Sequence, residues 1–468
     1  MKPAFSWEAI AKRRFAAVIA LACALCIAAA AFYLPAGFVR IAVLAMLGLP
    51  ALFIALDRPA LVFYGLIVIL FSNLDLFTTF RLYRLILALA VFALALAVIN
   101  GRPFVRHHPV LLFLVAVFAV VLFQSISIAR DYDAAAALAL KYFKNLLAVA
   151  IAVQFVRTPG EFRRYVLVMA IAILLTDLAP LVVSPPTRYG SLSLIWEQGV
   201  FRYEGFVFEP NAFALMQLML IPMLMYLIAV YRRSKPAVVC LSLALLASVV
   251  VLALSFSRGG FLGLAVLFAL LLVVERKSRT VIAIGASIIV AGVALAPTIY
   301  WDRIQSMISF AQGSRFDFSI FTRIEAMKEA VRLGAANPLL GIGADNFIYA
   351  LGSSLPYRMI VHNAYLQVFA ELGAIAFAAF IAVITYDFLL IRSLMRRRDP
   401  EAAQIGRLLL IQLAAVLASA FFIPVAYDYY FWFVLAFPAI ADYCFRGGAQ
   451  GDEVNSAAAR AAGSIPRA

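Results

Sequence analysis

Stretches of about twenty apolar residues follow one another along almost the whole chain, parted only by short charged or Pro/Gly-rich breaks. That pattern leaves few folds open. Hydrophobic residues fill 66% of the 468 positions and charged residues only 13%, with a mean hydropathy of +1.00, more apolar surface than one water-soluble core can bury. The fold class is therefore an all-α polytopic membrane protein. Cutting at the breaks gives about fourteen spans, near 15–34, 37–56, 59–77, 85–99, 110–128, 138–156, 165–183, 205–229, 237–255, 259–274, 281–298, 363–390, 408–426 and 429–445. The first segment is too long, and its flank too poor in a cleavage signal, for a removable leader, and it is read as a span.

Orientation follows from lysine and arginine, which cytoplasmic turns retain. With the amino terminus inside, every second turn carries them: Lys12-Arg13-Arg14, Arg58, Arg102 with Arg106, Arg157 with Arg163-Arg164, Arg232-Arg233 with Lys235, Arg276-Lys277 with Arg279, and Arg392 with Arg396-Arg397-Arg398. Topology and anionic lipid account for most of the net charge of +15, with no need of nucleic acid. The organisation expected is a membrane domain of eleven spans over 1–298, a long outer loop over 299–361 containing short helices, three spans over 362–446, and a disordered Ala/Gly/Ser-rich cytoplasmic tail over 447–468. Cys23, Cys26, Cys240 and Cys444 all fall inside apolar segments, which indicates neither a disulfide nor a zinc site.

Two outer stretches are long enough to form a working surface: 184–204, and the polar interruption that ends in His362-Asn363-Ala364-Tyr365-Leu366. His362 is the only histidine apart from the pair His107-His108, which is read as incidental. It places an ionisable imidazole where a loop meets the bilayer. Within the loop, Thr322-Arg323-Ile324-Glu325 has capping-box spacing, and Ile324, Met327 and Val331 with Ala330 continue at helical period. This predicts a short amphipathic helix that starts at Arg323 and stops between Gly334 and Pro338, with Gly341-Ile342-Gly343 as a flexible turn beyond it. An arginine in the first helical turn opposes the macrodipole, which fits a bound anion.

Ser255-Phe256-Ser257-Arg258-Gly259-Gly260 reads as a tight outer turn in which the glycines reverse the backbone and Arg258 stays at membrane depth, where a charge must be paired or face a polar cavity. In Glu209-Pro210-Asn211, Pro210 breaks or begins a helix and exposes polar backbone of the kind that lines cavities. Each residue also has a plainer reading. A histidine at a helix start can serve as a cap, Arg258 can snorkel, Arg323 can be solvated beside Arg315, Lys328 and Arg332, and Glu209 and Asn211 can cap or pack.

In this order, Phe208-Glu209-Pro210-Asn211 with Ala214, Ser257-Arg258-Gly259, Arg323 followed by Asn337-Pro338-Leu339-Leu340-Gly341-Ile342-Gly343, and His362-Asn363-Ala364-Tyr365-Leu366 with Glu371-Leu372-Gly373 resemble the O-antigen ligase and O-antigen polymerase family of bacterial envelope glycosyltransferases. The resemblance covers roughly Gly205 to Leu390; the first two hundred residues match only as successive spans. It implies a metal-independent, cofactor-free, inverting transfer of an oligosaccharide from undecaprenyl diphosphate to a hydroxyl at the periplasmic face of the inner membrane. His362, Arg258 and Arg323 are then the candidate catalytic residues, and Asn211, Glu209, Asn363, Tyr365 and Arg332 the candidate substrate-binding residues.

The partners implied are the lipid-linked oligosaccharide, a glycan or lipid A-core acceptor, membrane lipids and a chain-length regulator. The leading function is a polymerase that extends a surface polysaccharide. A lipid A-core ligase and a protein O-oligosaccharyltransferase are the alternatives. A secondary transporter fits less well, since no half of the chain repeats and the distinctive polar residues cluster on the outer face.

Overall fold

The computed structural model describes residues 58–73, 82–99, 108–178, 194–197, 200–207, 209–274, 318–351 and 360–462, with isolated positions at 180, 305, 309 and 312–313. Its helices are α1 (Pro59–Ser72), α2 (Leu82–Ile99), α3 (Pro109–Gln124), α4 (Tyr132–Phe155), α5 (Pro159–Leu178), α6 (Pro210–Val230), α7 (Lys235–Leu254), α8 (Arg258–Val274), α9 (Phe318–Ala336), α10 (Phe347–Leu351), α11 (Ala364–Met395), α12 (Pro400–Ala420) and α13 (Tyr429–Ala462). A hairpin of β1 (Leu194–Glu197) and β2 (Val200–Tyr203), paired antiparallel with Trp196 opposite Phe201, interrupts the helical order and has no counterpart in the helix-only reading.

Among the described residues, seven helices are long and apolar enough to cross a membrane: α2, α3 with its following turn, α4, α6, α7, α11 and α12. The expected spans 15–34, 37–56 and 281–298, and most of the 299–317 stretch, lie outside the described residues. The chain divides into two compact units, one of residues 1–70 and 74–104, the other of residues 71–73 and 105–468. The second unit holds α3 to α13 and the hairpin.

Local chemistry fixes where its helices begin. Pro109, Pro159, Pro210 and Pro400 each open a helix, where the missing N–H costs nothing and the fixed φ is already helical. Asp131 accepts from the Ala134 N–H at 2.8 Å, and Asp399 from the Glu401 N–H at 2.9 Å, so these acids cap α4 and α12. α13 continues to Ala462, through a stretch expected to be a disordered tail; its alanine-rich end, Ala457-Ala458-Ala459 with Ala461-Ala462, has the strongest helix propensity available.

Hydrogen bonds between helix termini sort the unit into two ends. At one, Tyr226 near the end of α6 and Arg163 at the start of α5 both bond Glu401 at the start of α12. At the same end the buried Asp442 carboxylate of α13 meets Arg397 at 2.5 Å, Arg446 at 2.6 Å and His108 at 3.3 Å. His108 also contacts the Tyr386 hydroxyl at 3.2 Å, so this histidine is not incidental but joins α3, α11 and α13. Its missed signal was a buried partner that only the fold supplies. His107 is outside the described residues.

The other end carries the starts of α6, α8, α11 and α13 and the ends of α7 and α12. α8 approaches α6 and α12 closely because its glycines allow it: a Cβ on Gly260 would stand 2.6 Å from the Ala214 Cβ, and one on Gly263 would stand 2.9 Å from the Ala415 carbonyl oxygen. These glycines are helical and serve packing. The chain reversal expected of Gly259-Gly260 occurs instead at Phe256, whose φ is 50°.

Candidate active site

At that second end Arg202, only 4% exposed, reaches from the last residues of the hairpin into the α7–α8 turn. Its Nε–H donates to the Ser255 carbonyl at 2.9 Å and an Nη2–H to Asn211 Oδ1 at 3.0 Å. The same Asn211 oxygen accepts from the Ser257 hydroxyl at 2.8 Å, and Ser257 Oγ in turn accepts the Gly260 N–H at 3.1 Å. The Asn211 amide donates to Glu209 Oε1 at 2.6 Å, while the other Glu209 oxygen accepts the Ala212 N–H and caps α6. Pro210 begins that helix, as one of its two readings expected.

This network brings Glu209 and Asn211 to the turn that presents the half-buried Arg258. Both polar ends of Asn211 are occupied by it, and Glu209 acts as a cap. Burial raises the Glu209 carboxyl above its ordinary range, against the lowering pull of the Ala212 and Asn211 hydrogen bonds and the Arg202 charge.

His362 stands half-buried between the buried Val361 and the first turn of α11. Asn363 caps the helix, its Oδ1 accepting the Tyr365 N–H at 3.0 Å and the Leu366 N–H at 2.9 Å. Tyr365 donates its hydroxyl to the Leu417 carbonyl at 2.9 Å and packs on Phe421 at 4.5 Å. Its side chain therefore ties α11 to α12.

The loop helix differs from its expected form. α9 begins at Phe318, not at Arg323, so Thr322 is inside the helix, Arg323 lies in its second turn, and Glu325 pairs with Lys328 at 2.7 Å instead of closing a capping box. The argument that Arg323 opposes a bare helix terminus is thereby lost. The buried stripe is Ala326, Ala330 and Leu333, packed with Phe347, Leu351, Val361 and Ala370, while Ile324 and Val331 are exposed. Two stripes compete at helical period, and the small alanines win because they let α9 lie close on α11. Gly334 shows the same closeness, since a Cβ there would meet the Phe369 ring at 2.5 Å. Arg332, paired with Glu329 at 2.7 Å on the exposed face, is not among the residues this packing brings inward.

The segment beyond α9 is not a flexible turn. α11 is broken at Gly373, with φ 74°, and the loop 337–343 occupies the break: the Ile342 N–H donates to the Ala370 carbonyl at 3.1 Å, the Gly343 N–H to the Glu371 carbonyl at 3.0 Å, and the Ala374 N–H to the Pro338 carbonyl at 2.7 Å. A Cβ on Gly341 would stand 2.4 Å from the Glu371 backbone, and one on Gly373 2.5 Å from that of Leu339. Two separate stretches of sequence thus form one joint that seats the loop on the helix below His362. The Glu371 carboxylate, 3% exposed, adds bonds from the Tyr427 hydroxyl at 2.8 Å and the Asp345 N–H at 3.1 Å.

Residues 243–381 match the family described as O-antigen ligase. The match supports the O-antigen ligase and polymerase family. It runs from inside α7 to the middle of α11, so Arg258, Arg323, Arg332, His362, Asn363, Tyr365 and the joint at Gly373 all fall within the ligase-family segment, whereas Arg202, Glu209 and Asn211 precede it. A comparison with curated proteins gives no match. Arg202 and Glu371 were not singled out as site residues in the sequence. Glu371 was open to notice, as an acid inside an apolar segment.

Proposed function

We propose that the chain transfers a glycan from an undecaprenyl-diphosphate carrier to a hydroxyl acceptor at the periplasmic face of the bacterial inner membrane, and that it thereby polymerises a surface polysaccharide. The observation that carries this reading is the buried Arg202–Asn211–Ser257 network, which fixes the turn bearing Arg258 at the end of the bundle where α11 begins beneath His362. The donor already has a good leaving group, so the protein must activate the acceptor and stabilise charge on the departing diphosphate. In this mechanism His362 accepts the hydroxyl proton as the acceptor oxygen bonds to the anomeric carbon. The anomeric carbon–oxygen bond to phosphate breaks on the opposite face, its electron pair leaves with the diphosphate, and configuration inverts.

Arg258 and Arg323 hold the phosphate oxygens through their planar forks. Glu209 and Asn211 position the arginine turn, while Asn363 and Tyr365 position the start of α11. A second reading, ligation to lipid A-core, is favoured by the description of the matching family.

Purified protein with a defined lipid-linked donor tests the mechanism. Arg258→Ala and Arg323→Ala should each lose most transfer at near-normal abundance, with lysine a poor substitute. His362→Ala should keep donor binding and lose about 10²–10⁴-fold in rate. Full activity in any of these variants removes that residue from the chemistry. In a deletion strain, single repeats left on an acceptor indicate a lost polymerase, and long chains left on the lipid carrier indicate a lost ligase.

A further inference from the structure

A recess of about 420 Å³ opens between α4 and the first turns of α11, within the size range of small-molecule sites. Its polar lining is Lys141, Asp345, Gln367, Glu371, Tyr427 and Asp428, and Val361, the residue before His362, forms part of its wall. We infer that this recess is the acceptor subsite, and that it takes a sugar through its hydroxyls and excludes the diphosphate; the acceptor role rests on the transferase reading above.

Charge argues first. Three carboxyl groups face one ammonium, and that ammonium is already engaged, Lys141 Nζ lying 2.9 Å from Asp428 Oδ1. A phosphate would meet carboxyl oxygens and no unengaged cation among these lining groups, whereas a hydroxyl can donate to several of those oxygens. Gln367 argues second. Its Oε1 is buried without a hydrogen-bond partner, a state that a donated hydroxyl would relieve. The Gln367 N–H bonds the Asn363 carbonyl at 2.9 Å, so this side chain sits one turn below the cap that adjoins His362.

Asp345 argues third. It is a non-glycine residue at φ 55°, a strained conformation held by the bond from its N–H to Glu371, and strain of this kind collects at ligand sites. Burial and the neighbouring Asp131 raise the Asp345 carboxyl, with Lys141 opposing them. The apolar part of the wall, Leu138, Ile360 and Val361, suits the C–H faces of a sugar ring. On the far side, Asp428 accepts from the Tyr430 hydroxyl at 2.8 Å, and Tyr430 lies within electrostatic reach of Glu209. The recess therefore ends beside the proposed base, at Val361, and Asp428 links its wall to Tyr430.

The test is direct binding to the full chain in lipid nanodiscs without donor. The probes are short oligosaccharides cut from the host's own surface polysaccharide, read by saturation-transfer NMR, and inorganic pyrophosphate as competitor. The intact chain should bind the oligosaccharide, Gln367→Leu and Asp345→Asn should weaken binding at least about tenfold, roughly the worth of one or two lost hydrogen bonds, and pyrophosphate should not compete. Arg258→Ala should retain the binding while losing transfer, which separates this site from the transfer chemistry. In transfer assays the two recess variants should raise the acceptor KM with the donor KM unchanged. Absence of binding by the intact chain, equal binding by both variants at normal folded yield, or displacement by pyrophosphate would overturn the assignment. An intact chain that binds the sugar but transfers nothing would instead remove the transferase reading and leave a glycan-binding site.

Discussion

Arg202 and Glu209 illustrate how a buried charge is tolerated near a membrane. Arg202 donates to a carbonyl and to an amide oxygen, and its charge opposes the upward push that burial gives the Glu209 carboxyl. The consequence for Glu209 is a pH dependence of known sign. Its folded-state affinity for a proton is raised above the ordinary value of 4.5, so the folded chain holds the proton more tightly than the unfolded chain does. The resulting stabilisation is complete below the unfolded value and is lost as pH rises through the higher folded value. Glu209→Gln, which keeps one acceptor oxygen and removes the titration, should therefore flatten the decline of thermal stability across that window. Melting curves of both proteins from about pH 4 to 8 measure this, and parallel curves would show that Glu209 makes no such contribution.

At the scale of elements, the joint between the 337–343 loop and the break in α11 is the feature that a point change should expose most clearly. Gly341 and Gly373 both need positive φ, and each has the other segment's backbone where a Cβ would stand. Gly341→Ala and Gly373→Ala should each destabilise by about 1–3 kcal/mol from backbone conformation alone, and by more once the backbones are forced apart. Because either change opens the same joint, the double variant should cost less than the sum, a coupling that a double-mutant cycle reads directly. Gly160→Ala serves as the control, since nothing lies within 4 Å of its added Cβ. Simple additivity would mean that the two glycines act separately.

At the scale of the whole molecule, the two ends of the bundle carry different chemistry. The end with Asp442 holds Arg163, Arg397 and Arg446, the first two on turns or helix ends that the positive-charge pattern assigns to the cytoplasm. The end with Arg202 and Glu371 holds most of the proposed site. Phosphatase fused within the 300–361 loop should therefore be active, and phosphatase fused after Gly447 inactive. The reverse pattern would invert the topology and place the proposed site on the wrong side for a periplasmic donor.

The membrane class and the positions of seven spans were legible in the sequence, because runs of apolar residues are local and lipid imposes their length. Short motifs, whose order survives without any fold, carried the resemblance that the match over residues 243–381 supports. Tertiary structure decided what those motifs do. Asn337 to Gly343 and Glu371 to Gly373 read as two separate signals, yet they are the halves of one backbone joint, which becomes visible only when residues thirty positions apart meet. The start of α9 was misplaced because its capping-box spacing was met by residues that pack and pair instead, and its buried stripe was set by how near α11 could approach. Arg202, His108 and the recess at Gln367 escaped the sequence for the same reason. A buried partner, or the lack of one, is a property of distance in space, and neither periodicity nor composition records it.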